Sequence, residues 1–140
     1  MIDFNKARLI PAAFFVLTLF SALYVCGQDS QLPRISNDEL KSLLDSGTEV
    51  VILDTQPEKI YQKGHIKGAL SFPFKMELDG SEVLKMPREK LIVVYCDCGP
   101  GEADSNHMGI QLKELGFLDV KVLAAPSIKG WKEKNYPMEE

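Results

Sequence analysis

Two stretches of the chain are apolar without alternation, Val50-Val51-Ile52-Leu53 and Leu91-Ile92-Val93-Val94-Tyr95, and Val120-Lys121-Val122-Leu123 supplies a third strand. Unbroken β-branched runs suit strands covered on both faces, as in the middle of a parallel sheet. Helical patterns lie between them. Residues 102–115 carry Ala103, Met108, Ile110, Leu112 and Leu115 at mostly three- and four-residue intervals and stop at Gly116, where a helix C-terminal glycine belongs. Ser36 and Glu39 form a capping box ahead of Leu40, Leu43 and Leu44, with Gly47 as the stop. Residues 57–62 begin a helix with Pro57 in its first turn, and residues 126–134 close the chain with Trp131 as a core anchor. Arg34-Ile35 and Ala69-Leu70-Ser71-Phe72 add short strands, while residues 74–85, with Gly80 and mixed charges, read as a surface excursion. The alternation predicts an α/β domain with a parallel sheet of about five strands and helices on both faces.

The first 26 residues do not belong to that pattern. Lys6 and Arg8 precede an eighteen-residue uncharged stretch, residues 9–26, broken only by Pro11, Thr18 and Ser21. A core helix would show a polar face, so the segment reads as an export signal or membrane anchor. Leu23-Tyr24-Val25-Cys26-Gly27 resembles a lipoprotein signal ending at Cys26, Val25 and Gly27 also suit an ordinary signal-peptidase site before Gln28, and retention as a single span is the third reading. In each the positive charges stay on the cytoplasmic side and the domain lies beyond the membrane. The predicted organisation is 1–26 signal or anchor, 27–34 tether and 35–138 domain.

The 140 residues carry a net charge of −4; Asp3, Lys6 and Arg8 give the first 26 residues +1, so the remainder carries −5. An acidic domain without basic clusters is a poor nucleic-acid binder. Of the three cysteines, Cys26 lies in the leading segment, which leaves Cys96 and Cys98 to the domain and excludes a disulfide scaffold.

Those two thiols stand where the central run stops, in Cys96-Asp97-Cys98-Gly99-Pro100-Gly101-Glu102. In open α/β sheets ligands bind beyond the carboxyl ends of the strands, and a following helix N-terminus favours a thiolate there. Cys96 is the candidate nucleophile and Cys98 its partner. Asp97, Gly99, Gly101 and Glu102 are the candidate substrate contacts, with loop N–H groups able to ring a sulfur anion. Asp97, Glu102 and Asp104 bring three negative charges close to Cys96, which disfavours anionic substrates. Two cysteines one residue apart could also close an exchange-active disulfide. A metal held by both thiols and His107 lacks a fourth ligand, and neither metal nor cofactor is expected. Asp54, at the end of the second run, reads as a strand-end cap or as a carboxylate that orients nearby loops.

Asp54, Gly64-His65-Ile66-Lys67-Gly68-Ala69 with Phe72-Pro73, Val94-Tyr95-Cys96, Leu115-Gly116-Phe117, residues 120–123, and Gly130-Trp131 with Tyr136-Pro137 together resemble a rhodanese (sulfurtransferase) domain. The resemblance spans residues 35–138 and implies that Cys96 carries sulfane sulfur as a persulfide. It implies a structural role for His65. The family loop commonly runs from cysteine to an arginine; Glu102 stands in that part of this loop, and Gln56 stands where an arginine commonly follows the aspartate. The implied partners are a small sulfane-sulfur donor or a protein thiol, and the membrane through the leading segment. Cys98 could resolve a persulfide on Cys96 and release sulfide. The alternative is a non-enzymatic sulfur carrier, a thiol-redox pair or a metal- or partner-binding module on the same fold. An export-dependent reporter fused after Met138 is expected to be active, and activity of a cytoplasm-only reporter instead would overturn the assignment of the first 26 residues.

Overall fold

The computed structural model describes residues 31–140. The signal or anchor at 1–26, the Cys26 lipidation motif and the first part of the tether lie outside the described residues.

Among the described residues eleven helices and strands follow one another: β1 (Arg34–Ile35), α1 (Asn37–Asp45), β2 (Val50–Asp54), α2 (Glu58–Tyr61), β3 (His65–Ile66), β4 (Leu70–Ser71), β5 (Leu91–Tyr95), α3 (Ala103–Glu114), β6 (Asp119–Leu123), α4 (Ser127–Glu133) and β7 (Met138–Glu139). A 3₁₀ turn, Gly80–Val83, lies between β4 and β5. Five strands form one parallel sheet in the order β1-β6-β5-β2-β4, and β3 pairs antiparallel with β7 in a separate ribbon. The expected five-stranded parallel sheet is therefore present.

Burial explains why β5 is central. Ile92, Val93, Val94 and Tyr95 have no exposed surface, and successive side chains serve opposite faces. Val93 and Tyr95 pack with Leu40, Ile128 and Trp131 beneath α1 and α4. Ile92 and Val94 pack with Met108, Leu112 and Phe117 beneath α3. Helices cover both faces, so a polar group in β5 must find a buried partner, as the Tyr95 hydroxyl does at Asp54.

The local signals act as anticipated at the helix ends. Ser36 Oγ accepts the Glu39 N–H while the Glu39 carboxylate accepts the Ser36 N–H, which satisfies two free donors at the start of α1. At the end of α3, Gly116 adopts φ +91°, a conformation that favours glycine. Residues 74–85 differ from the surface excursion expected of them. Leu78 and Val83 are buried in the α3-side core, and the Leu78 N–H donates to Gln111 Oε1. Capping at Asp79 turns the chain so that both apolar residues face inward despite lacking a regular spacing.

Leu112→Ala empties fully buried volume and is expected to cost about 2–5 kcal/mol in urea unfolding. Leu118→Ala, at a side chain 69% exposed, should stay within about 0.5 kcal/mol of the parent chain. Similar losses in both variants would contradict the assigned core.

Candidate active site

The neighbours β2 and β5 are where the strand order reverses, since β2 continues to β4 on one side and β5 to β6 on the other. Such a switch point opens a crevice beyond the carboxyl ends of the strands. Here it is a cavity of about 590 Å³ lined by Thr55 and Gln56 after β2, Pro73 and Phe74 after β4, Cys96, Asp97 and Cys98 after β5, and Asp104 in the first turn of α3, with Pro57 and Ile60 at its side.

Backbone and buried polar groups hold the three strand ends together. Thr55 donates its N–H and its hydroxyl to the Tyr95 carbonyl, at 2.9 and 3.0 Å, and the Phe74 N–H donates to the Thr55 carbonyl at 3.0 Å. Asp54, fully buried, accepts the Tyr95 hydroxyl at 2.7 Å, the Gln56 N–H at 2.9 Å and the Gln56 side-chain amide at 3.1 Å. Burial, then the Asp54 charge, pushes the Tyr95 phenol far above its ordinary range, so it remains a donor. Asp54 thus serves both readings: it caps a backbone N–H and fixes Gln56 in the cavity wall.

Cys96 is the first residue after β5 and is 2% exposed, whereas Cys98 is exposed. A disulfide joins them, with their Cα atoms 5.5 Å apart. The loop curls through Gly99 at φ +99° and reaches α3 at Glu102, a non-glycine residue in the left-handed conformation at φ +49°. That conformation accompanies a carboxyl turned inward, 2% exposed, with Oε2 3.1 Å from Cys96 Sγ. Ser105 Oγ lies 3.5 Å from the same sulfur and donates to the Glu102 carbonyl. At that separation a Cys96 thiol, once the disulfide is reduced, is within donating distance of the Glu102 carboxylate. Burial pushes the Glu102 carboxyl up to about 7, against the lowering effects of a Cys96 backbone hydrogen bond and the Arg34 charge; Asp97 acts with burial, and a Ser127 hydrogen bond acts against it. A carboxyl that titrates near neutrality in contact with a thiol can take the thiol proton.

The predicted residues divide around the loop. Cys96, Asp97 and Cys98 share the large cavity, while Gly99 and Glu102 wall a smaller one of about 260 Å³ with Pro100 and Lys129. Gly101 directs its carbonyl to Arg34, which donates from Nη2 at 2.9 Å. The side-chain partners of Cys96 Sγ are oxygens of Glu102 and Ser105. His107 is occupied elsewhere: Nε2 lies 2.9 Å from the Met76 carbonyl and the ring leans on Phe74. His65 stacks on Tyr61 with ring centroids 3.8 Å apart, in the turn that leads to β4. The two cysteine sulfurs and the Glu102 carboxylate lie within 4.8 Å of one another, a donor set in which the disulfide engages both sulfurs.

Sequence reasoning missed Arg34, Ser105 and Ser127. Arg34 approaches the loop through the pairing of β1 with β6, and Ser127 Oγ donates to the Cys96 carbonyl from the start of α4 at 2.8 Å. These contacts span 67 and 31 residues, so no local pattern carries them. Ser105 is closer, three residues after Glu102 in the first turn of α3, where a serine alone is an ordinary helix-start residue.

The Rhodanese-like domain family profile matches residues 36–134. The chain is 28% identical over 103 residues to the probable adenylyltransferase/sulfurtransferase MoeZ of Mycobacterium tuberculosis, covering 74% of this chain and 25% of that protein. It therefore spans about a quarter of the length of that relative. Among solved structures it superposes on the BH2092 protein of Bacillus halodurans with a TM-score of 0.69 and 25% identity, covering 76% of each chain. It also superposes on the rhodanese-like domain of the Alr3790 protein of Anabaena sp. with a TM-score of 0.61 and 26% identity, covering 76% of this chain and 78% of that one.

The Glu102 carboxyl has a testable consequence for stability. Below its ordinary value of 4.5 the carboxyl is neutral in both folded and unfolded states. As pH rises towards about 7 the unfolded chain ionises first, so stability falls across that window, by up to about 3 kcal/mol for the full shift. Urea unfolding of the disulfide-bonded protein at pH 5 and pH 8 should show that Glu102→Gln removes this part of the fall. Parallel losses in variant and parent would contradict burial of an ionisable carboxyl at this position.

Proposed function

Because this chain belongs to the rhodanese-like domain family, we propose that it is a sulfurtransferase whose Cys96 takes up sulfane sulfur as a persulfide. The observation that carries this reading is a buried cysteine sulfur at the carboxyl end of β5, at a cavity large enough for a small donor, with the Glu102 carboxyl 3.1 Å away. Glu102 takes the Cys96 proton. The thiolate attacks the outer sulfur of a donor R–S–SH, the bond between the donor's two sulfurs breaks, and RS⁻ leaves. An acceptor nucleophile then removes the outer sulfur from Cys96.

Charge selects the donor. Asp97 and Asp104 line the cavity beside the apolar surfaces of Pro57, Ile60, Pro73 and Phe74, and among the described residues no lysine or arginine lines it. Glu102 adds a third acid behind the sulfur. Such a site repels a dianion like thiosulfate and suits a neutral or protein-borne persulfide. Arg34 engages the Gly101 carbonyl and Lys129 lines the smaller cavity with Glu102, so neither belongs to the wall of the large one. The sulfurtransferase designation of the MoeZ relative supports the same reaction class. The uncharged residues 9–26 behind Lys6 and Arg8 support a location outside the cytoplasmic membrane, with the domain tethered or released there.

Intact-mass spectrometry after exposure to an alkyl persulfide or to thiosulfate tests the reading. Cys98→Ser should gain one sulfur at Cys96 from the persulfide, roughly tenfold or more faster than from thiosulfate, the equivalent of about 1.4 kcal/mol. Cys96→Ser should gain none at this loop. Equal loading by the two donors would refute the charge argument, and loading that survives Cys96→Ser would refute the assignment of the nucleophile.

A further inference from the structure

Cys98 has no task in simple sulfur relay, yet it lies on the same cavity as Cys96 and its sulfur reaches the Cys96 sulfur closely enough to bond with it. We propose that the protein reduces the sulfur it accepts: Cys98 attacks Cys96 Sγ of the persulfide, closes the Cys96–Cys98 disulfide and expels the outer sulfur as sulfide. This rests on the persulfide reading of Cys96 and gives the loaded sulfur its fate.

The atoms and electrons balance. In the first step R–S–SH and the Cys96 thiol give RSH and Cys96–S–SH. In the second, the Cys98 thiol loses its proton to solvent, its sulfur bonds to Cys96 Sγ, and the bond from that Sγ to the outer sulfur breaks. HS⁻ leaves and is protonated from water to H₂S. The sulfane sulfur is reduced by two electrons and the two cysteine sulfurs are oxidised to the disulfide. A dithiol reductant resets the pair by thiol–disulfide exchange, becoming a disulfide itself.

Three features favour release over storage. The contact in the structure is between Cys98 and Cys96 Sγ itself, the inner sulfur, so attack there yields a disulfide rather than a persulfide handed on to Cys98. The acids Asp97 and Asp104 on the cavity and Glu102 against the sulfur disfavour a resident persulfide anion and repel the departing HS⁻. Cys98 is exposed while Cys96 is buried, so an external dithiol meets the disulfide at the Cys98 sulfur.

The test uses the full chain, reduced, freed of reductant under anaerobic conditions and given one equivalent of alkyl persulfide. Intact mass, peptide mapping and free sulfide are read together, with a donor-free sample as baseline. The parent chain should lose two hydrogens at Cys96 and Cys98 and release about one sulfide per chain. Cys98→Ser should instead hold one extra sulfur on Cys96 and release no sulfide above baseline. A parent chain that keeps the extra sulfur without releasing sulfide overturns the inference while leaving the persulfide reading intact, as does equal sulfide release from Cys98→Ser. Failure of both chains to gain or reduce sulfur overturns the persulfide reading itself.

Discussion

Burial of β5 on both faces is the constraint that sets the position of the site. Its last four residues have no exposed surface, so the strand can occupy only the middle of the sheet, between β2 and β6. The chain must leave that core at Cys96, and it leaves into the crevice where β2 and β5 part company. The Tyr95 to Asp54 hydrogen bond and the two Thr55 bonds to the Tyr95 carbonyl then fix the relative height of the two strand ends. A thiol placed one residue beyond such an anchored strand has little freedom to move. Its chemistry is set by what the loop and α3 turn towards it.

What they turn towards it is a carboxyl. Many anion-handling loops place a cation near the nucleophile, which lowers the energy of its ionised form. Here the left-handed backbone at Glu102 carries an acid inward instead, and burial raises it to about 7. Arg34, a basic group close to the loop, is spent on a loop carbonyl. A site with this balance can accept a thiol proton at neutral pH, but stabilises poorly a negative charge that persists on sulfur. The proposed loading of a neutral donor and prompt discharge of the sulfur are compatible with those energetics, with Cys98 as the proposed means of discharge.

The sheet and its helices were legible because each has a local cause. Continuous apolar runs mark β2 and β5, the Ser36 and Glu39 box marks the start of α1, and Gly116 marks the end of α3. The position of Cys96 at the end of the central run was legible for the same reason. The inward turn of Glu102 was not, since an acid in a Gly-Pro-Gly loop reads as solvated until the backbone at that residue is known. The buried Leu78 and Val83, and the arrival of Arg34 and Ser127 at the loop, depend on pairings between distant segments. The two-residue partners β3 and β7 are too short to carry any period.

The Glu102 carboxyl and the Cys96 sulfur share one buried contact, in which a negative charge on either disfavours one on the other. The pH dependence of Cys96 alkylation, followed by peptide mapping in a Cys98→Ser background with and without Glu102→Gln, measures that competition directly. Ionised Glu102 should defer the rise in alkylation to higher pH, and Glu102→Gln should move the rise to lower pH and remove the inflection near pH 7. Superimposable profiles with glutamate and glutamine would contradict it.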